Sequence, residues 1–174
     1  MTADKTAPKL VLQTERLRLR WLTEEDAEFM LGLINEPSFI RNIGDKGIRT
    51  VEGARQYLLS GAIDSYERHG YGSYLVELLE DGTPIGICGL VNRAALQEID
   101  VGYAFLPAFW GKGYAVESAA AVLAYGRAAL GIARIVAIVA ADNASSIRVL
   151  EKIGLRFEKK VQLSSDAQEI DLFA

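Results

Sequence analysis

The stretch Gly102-Tyr103-Ala104-Phe105-Leu106-Pro107-Ala108-Phe109-Trp110-Gly111-Lys112-Gly113-Tyr114-Ala115 constrains this chain more than any other. An extended segment stops at Pro107, a short loop carries Gly111 and Gly113, and an alanine-rich run follows at once. A strand that feeds a glycine turn opening a helix suits a phosphorylated ligand. Glycines let the backbone approach an anion closely. The first N–H groups of a helix lack internal partners, and the helix dipole adds partial positive charge there. Gly-x-Gly alone is equally the mark of an ordinary turn. Two named phosphate motifs are absent. There is no Gly-x-x-x-x-Gly-Lys-Ser/Thr, and no Gly-x-Gly-x-x-Gly follows the first strand.

The rest of the chain reads as mixed α/β. Leu10 to Leu22 reads as one strand, with Leu17 and Leu19 alternating against Arg16, Arg18 and Arg20. Thr23 and Asp26 open a helix to about Ile34, which stops before Pro37. Ser38 to Arg49 is a polar loop, and Thr50 caps a second helix over 51–68. Strands over 71–79 and 84–92 flank Asp81-Gly82, a hairpin signal. A strand over 98–105, a helix over 113–130 closed by Gly131 and an apolar strand over 133–140 come next. That order makes the two strands parallel neighbours. A helix over 145–153 ends at Gly154, and strands over 155–163 and 170–173 complete the chain.

Residues 143 to 155, Asn-Ala-Ser-Ser-Ile-Arg-Val-Leu-Glu-Lys-Ile-Gly-Leu, add a second motif. With the glycine loop they resemble the GNAT superfamily of acyl-CoA-dependent N-acetyltransferases. Thr14-Glu15-Arg16-Leu17-Arg18-Leu19-Arg20 and Asp100-Val101-Gly102-Tyr103 resemble its ribosomal-protein N-terminal acetyltransferase branch. The likeness spans residues 10 to 173, one N-acetyltransferase domain behind a flexible N-terminus over 1–9. It implies a single-domain fold with a mixed, twisted sheet, flanked by helices and splayed between its central parallel strands. Acetyl-CoA would lie in that gap, with no metal.

The length of 174 residues suits one core. One cysteine, Cys88, excludes an internal disulfide framework, and one His beside it argues against a His/Cys metal site. A net charge of −4 argues against a general nucleic-acid binder. No apolar run spans a bilayer and no signal-peptide core opens the chain, so a cytoplasmic location is expected. Relatives in the family are often dimers, and monomer or homodimer both stay open.

The resemblance assigns the chemistry. Gly111, Lys112, Gly113, Tyr114, Ala115 and Val116 would cradle the coenzyme A pyrophosphate. Lys112 either reaches a phosphate or is simply solvated. Tyr103, Ala104 and Phe105 would run beside the pantetheine, with a backbone N–H near Ala104 or Phe105 polarising the thioester carbonyl. Glu98 and Asp100 alternate with Ile99 and Val101, so both face one side of the strand, ~6–7 Å apart. They are a solvent face or, at the border of the acceptor cleft, the general base. The family often supplies a tyrosine as general acid where Leu150 stands here. Ser146 or a bound water would replace it, or Ser146 would only hold the cofactor. Asn143 would bind the cofactor amide or the substrate, or cap its helix.

An α-amine, with a pKa of ~7.7–8.0, is neutral in roughly one molecule in seven at pH 7, against roughly one in 2,500 for lysine. A protein N-terminus therefore needs only a modest base. The acceptor is expected to be such a terminus or a small-molecule amine, attacking directly in a ternary complex. Two other readings compete. One is a non-catalytic acyl-CoA-binding or regulatory module, and the other is a structural α/β protein with no ligand. His69 and Cys88 read as structural residues.

Overall fold

The computed structural model describes residues 8–174. The expected flexible terminus therefore lies largely outside the described residues. One eight-stranded sheet runs in the order β1-β2-β3-β4-β5-β6-β8-β7. It comprises β1 (Leu10–Gln13), β2 (Leu17–Trp21), β3 (Ser73–Leu78), β4 (Pro84–Arg93), β5 (Glu98–Phe105), β6 (Ile135–Val139), β7 (Phe157–Val161) and β8 (Ile170–Phe173). All neighbours pair antiparallel except β5 and β6. The helices are α1 (Ala27–Ile34), α2 (Pro37–Asn42), α3 (Val51–Leu58), α4 (Asp64–His69), α5 (Tyr114–Ala128) and α6 (Ala144–Lys152). No helix among the described residues is long and apolar enough to cross a membrane.

Alternation along β5 sends Val101, Tyr103 and Phe105 toward α5, where they meet Ala119, Val122 and Leu123. Ala104 faces the opposite layer, built by α1 and α3 against Leu75 of β3. Apolar burial on both faces is what holds the layers together, at ~25 cal/mol per Å² removed from water.

Three expectations change. The strand expected over 10–22 is two strands, because the Thr14 N–H donates to Leu17 O (2.9 Å) and reverses the chain. This turn contains neither glycine nor proline, so it lacks the usual signal. Residues 38–49 are not wholly loop. Pro37 sits in the first turn of α2, where its missing N–H costs nothing, and Phe39 is buried. The helix expected over 51–68 breaks into α3 and α4 around a π turn at Leu59–Ile63.

The parallel pair forms as expected and then opens. β5 and β6 pair only at Ile99↔Ile135 and Asp100↔Val136. Beyond them β6 turns to β8, pairing over Ala137–Val139. A gap therefore opens along Val101–Phe105.

Candidate active site

The N–H groups of an extended strand alternate in direction. Leu106 N–H donates to Ile85 O of β4 (2.9 Å). Phe105 and Tyr103 therefore turn their N–H groups the other way, into the gap, while Ala104 points back to β4. Between the two residues considered from sequence, alternation selects Phe105 as a gap-facing donor. The Phe105 carbonyl points the same way and accepts from the Trp110 indole Nε1 (2.9 Å). Trp110, itself 51% exposed, thus ties the loop after β5 to the gap-facing edge of the strand.

The glycine loop follows Trp110 directly. Gly111 and Gly113 adopt φ of 72° and 83°, a left-handed backbone that other residues enter at a cost. A Cβ on Gly111 would meet nothing within 4 Å, so its outer face is open. Gly113 precedes the first residue of α5, whose leading N–H groups at Tyr114, Ala115 and Val116 have no partner inside the helix. Loop and helix together form a cradle of N–H donors that fits a pyrophosphate. Lys112 extends its ammonium over the Phe109 ring, 5.6 Å from the centroid.

On the α6 side of the gap, Asn143 caps the helix. Its side chain accepts from the Ser146 N–H (3.3 Å), so the capping role is met. Ser146 Oγ and the Tyr103 hydroxyl lie 2.7 Å apart, bridging β5 to α6. Tyr103 also reaches Ser146 O at 3.2 Å. Burial pushes the Tyr103 phenol up to about 12, partly offset by Ser146, so it stays protonated at neutral pH. Leu150, one helical turn further on, is buried core.

Glu98 and Asp100 share a face but not an environment. Glu98, at the closed end, accepts from Arg134 Nε (3.0 Å), and Arg134 also holds Glu158 (2.9 Å). Asp100 sits where the strands part. It is 2% exposed and accepts from Arg93 Nε at Oδ2 (3.1 Å), while Oδ1 has no hydrogen-bond partner among the described residues. Burial pushes its carboxyl above the usual range, with Arg93 opposing. The next residue on that face is Gly102, and a Cβ there would meet nothing within 4 Å. A buried acid with one unpartnered oxygen thus lies two residues before a backbone position with open space above it. Cys88 is wholly buried, and burial pushes its thiol up to about 12, which removes it as a nucleophile.

The acetyltransferase (GNAT) domain family matches residues 16–156. The chain belongs to the GNAT family of acetyltransferases. It is thus an acyltransferase. An uncharacterised Bacillus subtilis N-acetyltransferase, YoaA, is 32% identical over 149 residues, covering 85% of this chain and 84% of that one. A GNAT-family acetyltransferase from Bacillus anthracis superposes with a TM-score of 0.76 at 25% identity, covering 93% and 95% of the two chains. The ribosomal L7/L12 α-N-protein acetyltransferase RimL, solved with coenzyme A, superposes with a TM-score of 0.81 at 18% identity, covering 95% and 96%. That last likeness is one of fold.

Several residues around the gap and the glycine loop had no local signal. Arg93, Arg134 and Trp110 find their partners only through strand pairing and loop closure. Arg16 read as one charge in an alternating strand, yet it reaches the glycine loop.

Proposed function

We propose that this protein moves the acetyl group of acetyl-CoA to a primary amine, either a protein N-terminal α-amine or a small-molecule amine, by direct attack in a ternary complex. The observation that carries this is the buried Asp100, with Oδ1 free, where the sheet opens beside the bare backbone of Gly102.

Acetyl-CoA supplies an activated carbonyl and a thiol leaving group. Residues 111–116 hold its pyrophosphate by backbone N–H groups, and the gap-facing N–H groups of Tyr103 and Phe105 serve pantetheine and carbonyl oxygen. Asp100 takes the proton of the attacking amine, directly or through one water. As the N–C bond forms and the C–S bond breaks, the departing sulfur needs a hydrogen-bond donor. The Tyr103–Ser146 pair owns two hydroxyl protons and uses one for its mutual bond. With the Tyr103 proton shared between Ser146 Oγ and the Ser146 carbonyl, the Ser146 O–H is left to turn toward the sulfur. A thiol of pKa ~8.5 needs no stronger acid. Ser146 thus does what Leu150 has no group for. Glu98, held by Arg134, stays outside the reaction.

Calorimetric titration with acetyl-CoA and coenzyme A, followed by a panel of peptides and small amines, tests the reading. Wild type should bind both ligands and acetylate a member of the panel. Gly113→Glu, which puts a side chain on a left-handed residue and a negative charge in the cradle, should bind neither. Absence of binding by wild type at millimolar ligand overturns the proposal.

A further inference from the structure

The turn Thr14-Glu15-Arg16 between β1 and β2 is far from α5 in sequence but touches it in space. Arg16 Nη1 donates to the Lys112 carbonyl (2.9 Å). Its Nε and Nη2 both lie 2.7 Å from Glu117 Oε2, in the first turn of α5. The Arg16 backbone N–H (2.9 Å) and the Thr14 hydroxyl (2.7 Å) both donate to Glu117 Oε1. The Thr14 oxygen in turn accepts from the Leu17 N–H (3.1 Å). The guanidinium carbon sits 4.5 Å from the centroid of the Tyr114 ring. The Arg16 guanidinium, the Arg16 main-chain N–H and the Thr14 hydroxyl are thus all spent on the loop and helix that form the anion cradle.

The contact with Lys112 has a directional consequence. Carbonyl and N–H of one trans peptide point in opposite directions. With the Lys112 carbonyl held toward Arg16, the Gly113 N–H points away from it, and it donates to nothing among the described residues. Gly113 also permits the approach, since a Cβ there would lie 3.3 Å from Arg16 Nη2.

Charge adds a second consequence. Glu117 is a carboxylate one turn into the helix that would receive the pyrophosphate. Burial alone would raise its carboxyl, but the Thr14 hydroxyl, the Arg16 N–H and the guanidinium together hold it below its usual range. It is therefore ionised, and Arg16 neutralises a charge that would otherwise repel the ligand.

We infer that Arg16, with Thr14 and Glu117, is a positioning clamp that sets the Lys112–Gly113 peptide for the pyrophosphate of coenzyme A. The inference rests on the acetyl-CoA reading above. It concerns only the phosphate end of the ligand, so the ligand can be divided to test it. Coenzyme A carries the pyrophosphate and pantetheine does not.

The test is calorimetric binding of both compounds to wild type, R16Q and R16K. R16Q should weaken coenzyme A binding about tenfold, the scale of one charge-assisted hydrogen bond, and leave pantetheine binding unchanged. R16K restores the charge but not the planar fork, so coenzyme A affinity should recover only in part. Equal affinity of R16Q and wild type for coenzyme A overturns the clamp and leaves the acetyltransferase reading standing. Equal weakening of both compounds overturns it too, because the residue would then only support the fold. Wild type that binds neither compound overturns the acetyltransferase reading itself and the clamp with it.

Discussion

Glu77 on β3 and Asp100 on β5 are both nearly closed to solvent, at 5% and 2% exposure. Around Glu77 each carboxylate oxygen meets an arginine. Arg18 Nε and Nη2 reach Oε2 (2.8 and 2.7 Å), and Arg20 Nε reaches Oε1 (2.8 Å). Arg20 continues to Asp26 (2.9 and 3.0 Å), whose side chain closes the helix start after Thr23. Around Asp100 one arginine meets one oxygen, and the other oxygen is unmet among the described residues. Desolvating a carboxylate without full pairing is costly. Glu77 is thus a structural charge, and Asp100 is a charge kept at a cost beside the gap. The first region ties β2, β3 and the start of α1 together, while the second lies where two strands stop pairing.

The sharpest break in this comparison is Asp100→Asn. Removing a general base should lower turnover about 10²–10⁴-fold. Melting temperature should hold or rise at neutral pH, because the amide carries no charge to desolvate. Steady-state rates beside calorimetric melting check both halves, and a collapse in stability with rate preserved per folded molecule would reverse the assignment.

Glu77→Gln should do the opposite. It leaves Arg18 and Arg20 short of a counter-charge, at a cost of about 2–3 kcal/mol. That is a fall of roughly 5–10 °C in melting temperature for a chain of this size. Turnover per folded molecule should stay near wild type, as read by activity at a temperature where both proteins are folded.

Acidity sharpens the contrast. Burial raises Asp100, so the acid limb of kcat/KM should lie above the ~3.9 of an exposed aspartate, with activity lost as pH falls through it. Stability runs the other way. A carboxyl raised on folding contributes stability below its unfolded value and loses it as pH rises through the folded value. The melting difference between wild type and Asp100→Asn should therefore shift in favour of wild type as pH falls. An acid limb at the same pH in Asp100→Asn would assign it to another group.

The smallest effect belongs to Glu98→Gln. Its ion pair with Arg134 is partly exposed, and such pairs contribute under about 1 kcal/mol. Turnover should stay within about twofold of wild type, measured over the same pH range. A large rate loss with an unchanged fold would move the base from Asp100 to Glu98.

Legibility followed sequence separation. The strand over 98–105, the glycine loop, α5, and the caps at Thr50 and Asn143 are specified by neighbouring residues, so they could be read in order. The turn at Thr14, the buried face of α2 and the π turn were not readable. Their causes are a side chain packed from another element or a break in a helix whose pattern continues through it. Glu98 and Asp100 look alike in sequence because alternation assigns a face and not a depth. Their difference arises from Arg134 at one position and the departure of β6 at the other.

The chain's own order of residues determined the strand–glycine–helix cradle, the parallel pair around it and the class of chemistry they serve. The cradle depends on backbone conformation, helix termini and turn chemistry, which act over a few residues; the parallel pair follows from the order of the elements, and the class of chemistry from the likeness of the motifs to a known family. Only the tertiary structure decided which carboxylate is buried with a free oxygen, which hydroxyls meet across the gap, and that Arg16 reaches a loop some hundred residues away. Those outcomes depend on desolvation and on contacts between distant segments, which arise only when the layers close.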